Sequence, residues 1–102
     1  MGISQSGQFD DVNNSNYLAA SINITTSQTE AKVGGSTLNG RQMIIIENRG
    51  NNDIYYGPSG VTSSTGIRLA KNQVASLPFG DSVAIFLITA TGSSTAIIQE
   101  IG

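Results

Sequence analysis

Arg41-Gln42-Met43-Ile44-Ile45-Ile46-Glu47-Asn48 is the stretch on which the fold turns. Its run from Met43 to Ile46 is apolar on both faces, the pattern of a strand in a sandwich interior rather than of a half-solvated edge. It reads as a central strand. Working outward, Arg49-Gly50-Asn51-Asn52 has the composition of a hairpin loop leading into Asp53-Ile54-Tyr55-Tyr56. Gly57-Pro58 ends that second strand, because proline has no N–H to give to a ladder.

Upstream, Ser21-Ile22-Asn23-Ile24-Thr25-Thr26 alternates apolar and polar as a half-buried strand does, and Ala31-Lys32-Val33 is a short candidate after it. Gly34-Gly35-Ser36 and Asn39-Gly40 carry turn chemistry. Downstream, Gly66-Ile67-Arg68-Leu69 and Gln73 to Leu77 flank the turn Ala70-Lys71-Asn72, and Pro78-Phe79-Gly80-Asp81 makes another turn. Val83 to Thr89 and Thr95 to Ile101 then read as a final hairpin around Thr91-Gly92-Ser93-Ser94. Seven or eight short antiparallel strands at about ten-residue spacing predict an all-β protein, a small jelly-roll-like sandwich or barrel. No amphipathic helical stretch competes.

The first residues are different. From Met1 to about Tyr17, Asn and Ser dominate, and Ile3, Phe9 and Val12 are isolated apolar residues that fit neither the helical nor the strand period. The chain therefore divides into an extended N-terminal arm, 1–20, and a β-domain, 21–102. Fixing about 20 backbone residues costs on the order of 20–40 kcal/mol. Ile3, Phe9, Val12 and Tyr17 offset that only by docking on another surface, which makes them the candidate partner-binding residues of the arm.

Composition narrows the function. The chain has 102 residues, 5 Lys+Arg, 7 Asp+Glu, 0 His and 0 Cys. Neither disulfides nor a thiolate metal site can brace a domain of this size, which leaves oligomerisation as the staple. Without a basic block, nucleic acid is not an expected partner. Ser, Thr, Asn, Gln and Gly make up about half of the residues and give a polar, nearly uncharged surface. The longest apolar run, Val83 to Ile88, falls far short of the roughly 20 residues of a membrane-spanning helix, and the first residues lack the pattern of a secretion signal. The expectation is synthesis in a cytoplasm and no membrane partner.

Chemistry finds little support. With no His and no partner evident for the Ser and Thr hydroxyls, neither a general base nor an activated nucleophile is apparent. Glu47 and Asp53 flank one loop as a glycosidase pair could, but solvated loop acids are the preferred reading. Asp10 to Asn16 is rich in hard oxygen ligands, yet it lacks the closing Glu and central Gly of a calcium loop. Met1 to Ser6 formally matches a myristoylation signal with no basic residues nearby to support it. No catalytic residue, metal site or cofactor is expected. Tyr55 and Tyr56, with Arg41 and Arg49 bracketing the central strand, are the candidate interface or glycan-binding surface.

From Gly40 to Ile101 the chain resembles small β-proteins of tailed-phage virions. The resemblance rests on Gly40-Arg41, Ile44-Ile45-Ile46-Glu47-Asn48, Gly50-Asn51-Asn52-Asp53-Ile54-Tyr55-Tyr56-Gly57, Val61-Thr62-Ser63, Gly66-Ile67-Arg68-Leu69 and the closing segment Val83 to Ile101. It is a pattern of turns and strands, covering about 60 residues. It implies a virion structural protein: most of all a capsid decoration (cement) protein on the capsid surface, assembled in the host cytoplasm. Such a protein is expected to be a homotrimer that contacts its own copies and the major capsid protein. The alternative is a tail or fibre component that binds a host-surface glycan or adapts other tail proteins.

Overall fold

The computed structural model describes residues 16–102. They form eight strands: β1 Tyr17–Ile24, β2 Thr29–Glu30, β3 Met43–Asn48, β4 Ile54–Gly57, β5 Ile67–Leu69, β6 Val74–Leu77, β7 Phe86–Thr89 and β8 Ser94–Ile101. Two four-stranded sheets hold them, in the orders β1-β8-β3-β6 and β2-β7-β4-β5, with every pair antiparallel. This is an all-β sandwich, and its strand order is that of an eight-stranded jelly roll, in which only β4 and β5 are both consecutive and paired.

Alternation explains how each sheet contributes to the core. In β3, Ile44 and Ile46 point inward and are fully buried, and in β8 Ala96 and Ile98 do the same. The facing sheet supplies Ile54 from β4, Leu69 from β5 and Leu87 from β7; Ile24, Ala31 and Ile85 complete the cluster. Each fully buried Ile or Leu stabilises the fold by about 1.5–3 kcal/mol relative to exposure. β3 lies between β8 and β6, as expected of a central strand.

The pairing differs from the sequence reading in three places. The segments read as hairpins around Arg49–Asn52 and Thr91–Ser94 are not hairpins: β3 and β8 belong to one sheet, β4 and β7 to the other. Both connections are arches across the edge of the core. The residues on either side of each arch face inward, Asn48 and Ile54 in one case, Thr89 and Ser94 in the other. A hairpin signal specifies a reversal of direction, and an arch reverses direction just as well. The early strands are also shifted. β2 is a two-residue pairing at Thr29–Glu30, prolonged by the Ala31 N–H to the Ile85 carbonyl at 2.8 Å.

β1, finally, begins at Tyr17, so residues 17–20, read from the sequence as the end of the arm, are ladder residues opposite Ile98–Ile101. The alternation is invisible in Tyr17-Leu18-Ala19 because β1 is an outermost strand and all three residues are exposed.

Candidate interaction surfaces

A polar node sits at each end of β3, and together they shape what the surface offers. At the first end Arg41 is buried. Its Nη1 lies 2.9 Å from Glu100 Oε2, with both side chains almost wholly enclosed. Its Nε donates to the Phe79 carbonyl at 3.1 Å, and Nη2 donates to the carbonyls of Gly80 and Val83 at 2.8 and 2.7 Å. Glu100 accepts the Val33 N–H on Oε1 at 3.0 Å and the Leu38 N–H on Oε2 at 3.2 Å. Buried charges persist when paired and hydrogen-bonded in this way. The pair ties two loops, 33–38 and 79–83, to the central strands.

At the other end, Asn48 is fully buried. Its Nδ2 donates to the carbonyls of Asn52 and Leu69 at 2.9 and 2.8 Å, while Oδ1 accepts the Gly50 N–H at 3.0 Å and the Ser94 hydroxyl at 2.7 Å. All four hydrogen-bonding positions of the amide are thus filled. This side chain winds the arch between β3 and β4 and fastens it to the start of β8.

Beside the Arg41 node opens an apolar groove of about 230 Å³, lined by Tyr56, Pro58, Ile67, Phe79, Val83 and Ile85 among others. Ile67 and Val83 are 59% and 42% exposed, unusual for large aliphatic side chains. Two of the groove's walls, Phe79 and Val83, have their backbone carbonyls held by the Arg41 guanidinium, so the buried ion pair sets the groove's shape. Its lining is mainly hydrocarbon, which suits a hydrophobic side chain better than a sugar. The sequence signal was present in Phe79 and Val83, apolar residues beside the polar turn Gly80-Asp81-Ser82, but turn chemistry alone did not show that they share a wall with Tyr56.

The residues singled out from sequence are scattered. Arg41 lies inside the fold and is not part of any surface, and each of its three guanidinium nitrogens donates to an internal partner. Arg49 is exposed, with Nη2 at 2.6 Å from Glu47 Oε1. Tyr56 faces inward against the core and lines the groove, whereas Tyr55 points to the opposite face beside Ile88 and Arg68, so the two do not form one platform. Glu47 and Asp53 are drawn to different arginines, Asp53 lying 3.9 Å from Arg68. Tyr17 is 65% exposed and donates its hydroxyl to Gln99 Oε1 at 2.6 Å. Ile3, Phe9 and Val12 lie outside the described residues, as does the oxygen-rich segment from Asp10 to Ser15. Among the described residues no group of three or more Asp and Glu side chains converges as a metal site would require.

Charge is distributed unevenly along the chain. All five Lys and Arg and five of the seven acids lie within 16–102, so the sandwich is formally neutral and Asp10 and Asp11 carry the net charge of −2. In comparisons with protein-family models, curated proteins and solved structures, nothing matches the chain.

Proposed function

We propose that the chain is a non-enzymatic structural protein of a tailed-phage virion, a capsid decoration protein that stabilises the head by linking capsomers. The observation that carries this reading is that β1, which follows residues 1–16 in the sequence, is an outermost strand whose first residues, Tyr17, Leu18 and Ala19, are exposed. An arm delivered from a sheet edge can dock on a neighbouring copy or on the major capsid protein by backbone pairing and by burying Ile3, Phe9 and Val12. The groove beside Tyr56 and Phe79 offers a partner's side chain a second foothold. Many weak links of this kind, repeated over a shell, give avidity without high affinity at any one site. The near absence of free charge suits a surface that must associate and not steer nucleic acid.

The test is a chain lacking residues 1–15, added to heads that lack the protein. The truncated chain folds and leaves the heads bare, whereas the full chain occupies them; equal occupancy by both overturns the arm's role. A cryo-EM map of the parent particle locates the protein, and density on a tail or fibre instead of the head overturns the decoration reading.

A second reading, a glycan-binding tail or fibre module, has one observation in its favour. Tyr55 lies on an outer sheet face next to Arg68, an aromatic ring beside a hydrogen-bond donor. A glycan array with wild type and Tyr55→Ala decides it: no glycan retained by the wild type counts against the reading.

A further inference from the structure

Asn39-Gly40 is the only Asn-Gly pair in the chain, and both residues are exposed. Before a glycine, an asparagine side chain is open to attack by the main chain, because glycine has no Cβ to block the approach. The Gly40 nitrogen adds to Asn39 Cγ, the Cγ–Nδ2 bond breaks, and ammonia leaves with the Gly40 proton. A five-membered succinimide remains. Water then opens it at either carbonyl and leaves an aspartyl or an isoaspartyl residue at position 39, with no oxidant or cofactor in the balance.

Two restraints act on the attacking nitrogen. The first is the turn itself. The Arg41 N–H donates to the Leu38 carbonyl at 3.1 Å, Gly40 has a φ of 78°, and Asn39 lies outside the left-handed region, so Leu38–Arg41 is a type II turn. Such a turn holds ψ of its second residue at about +120°. At that ψ the Gly40 nitrogen eclipses Hα of Asn39 and lies away from Cβ, and the ring cannot close until ψ rotates. The second restraint is Asp81. The Gly40 N–H donates to Asp81 Oδ2 at 2.6 Å, a short charge-assisted bond that keeps the nitrogen from turning. Asp81 is anchored in its own right: it belongs to the loop 79–83, whose carbonyls at Phe79, Gly80 and Val83 are held by Arg41, the residue after Gly40. Turn and loop thus hold each other.

We propose that Asn39 is a modification site of the chain, converted through a succinimide, and that Asp81 is the positioning residue that keeps it closed in the folded state. Conversion and the Arg41 node are then coupled in both directions. Loosening of the 79–83 loop frees the Gly40 nitrogen. The isoaspartyl product, for its part, inserts a methylene into the main chain between Leu38, whose N–H is bound by Glu100, and Arg41, which is paired with the same carboxylate. Either product adds a negative charge to the turn that Asp81 fastens. Because Phe79 and Val83 line the groove, a slow chemical step at an exposed turn reaches its walls. This chemistry belongs to the sandwich and is independent of what the arm binds.

The experiment incubates the full chain at neutral pH and physiological temperature and follows it by peptide mapping with mass spectrometry, isoaspartate being counted with an isoaspartyl methyltransferase. In urea, Asn39 of the wild type converts ahead of every other asparagine. In the native protein it converts about tenfold more slowly or less, the factor a hydrogen bond to a charged group supplies. Asp81→Ala recovers most of the lost rate, and Asp81→Asn, which keeps an acceptor oxygen, converts more slowly than Asp81→Ala. Amide hydrogen exchange separates a lost latch from a lost fold: in Asp81→Ala the Gly40 N–H exchanges fast while the amides of β8 stay protected. Should that variant lose protection in β8 as well, Asp81→Asn is judged against the native wild type, and faster conversion supports the proposal. Equal rates for the native and urea-treated wild type overturn it. So does a folded Asp81→Ala chain that converts no faster than the wild type, and a slower one would make Asp81 a base that assists the attack.

Discussion

Arg41 illustrates how a single side chain can serve two regions. Its guanidinium neutralises Glu100 and at the same time fixes the carbonyls that hold Phe79 and Val83 in the groove wall. Breaking a buried pair by removing one partner typically costs about 3–5 kcal/mol, because the other charge is left without compensation. Arg41→Met is expected to lose that much in urea unfolding monitored by circular dichroism. Replacing both charges by apolar residues often restores stability elsewhere, but here Arg41→Met/Glu100→Leu is expected to remain as unstable as the single variant. The double change also orphans the N–H groups of Val33 and Leu38 and the carbonyls of Phe79, Gly80 and Val83. Full recovery by the double variant would show that those backbone groups find water. Asn48 obeys the same logic at the far end of β3. Asn48→Asp keeps the acceptor for Gly50 and Ser94 but removes both donations to Asn52 and Leu69, and is expected to lower the melting temperature of the sandwich in differential scanning calorimetry.

At the scale of elements, what the sequence conveyed was location and face, and what it withheld was pairing. Met43 to Ile46 announced an interior strand, Gly57-Pro58 ended β4 where expected, and Ala70 to Asn72 turned the chain, with Asn72 at a φ of 68°. Tyr55 and Tyr56 parted to opposite faces as alternation requires. Which strand lies beside which was hidden, because a turn signal is local while an arch and a hairpin differ only in where the next strand finds its ladder. The Arg41–Glu100 pair was hidden for the same reason: its members are 59 residues apart and meet only once β8 lies beside β3. Gly50 gives the arch a test. A Cβ there would overlap Ser94 and come within 2.6 Å of the Thr95 backbone nitrogen, so the first arch can pass β8 only with glycine. Gly50→Ala is expected to destabilise by about 1–3 kcal/mol, as overpacking does. Gly35→Ala is the control. Nothing lies within 4 Å of its would-be Cβ and its φ is outside the left-handed region, so a change between zero and a gain of about 1 kcal/mol is expected in the same unfolding experiment.

At the scale of the whole molecule, the boundary between arm and sandwich decides how any truncation should be read. Tyr17–Ala20 form half of β1 and pair with Ile98–Ile101, and the Asn16 carbonyl accepts the Gly102 N–H at 2.8 Å. Removing residues 1–15 leaves that ladder whole. Removing 1–20 strips the outer neighbour from the last four residues of β8, among them the buried Ile98 and Glu100. The shorter deletion is therefore expected to melt at the wild-type temperature, and the longer one several degrees lower, in thermal unfolding followed by circular dichroism. Equal melting temperatures would place Tyr17–Ala20 with the arm after all. The order matters for function, since loss of head binding after removal of 1–20 would not distinguish a missing arm from a damaged sheet. A chain that begins at Asn16, melts like the wild type and no longer occupies heads isolates the arm as the part that binds, and leaves the jelly roll as the platform from which it reaches.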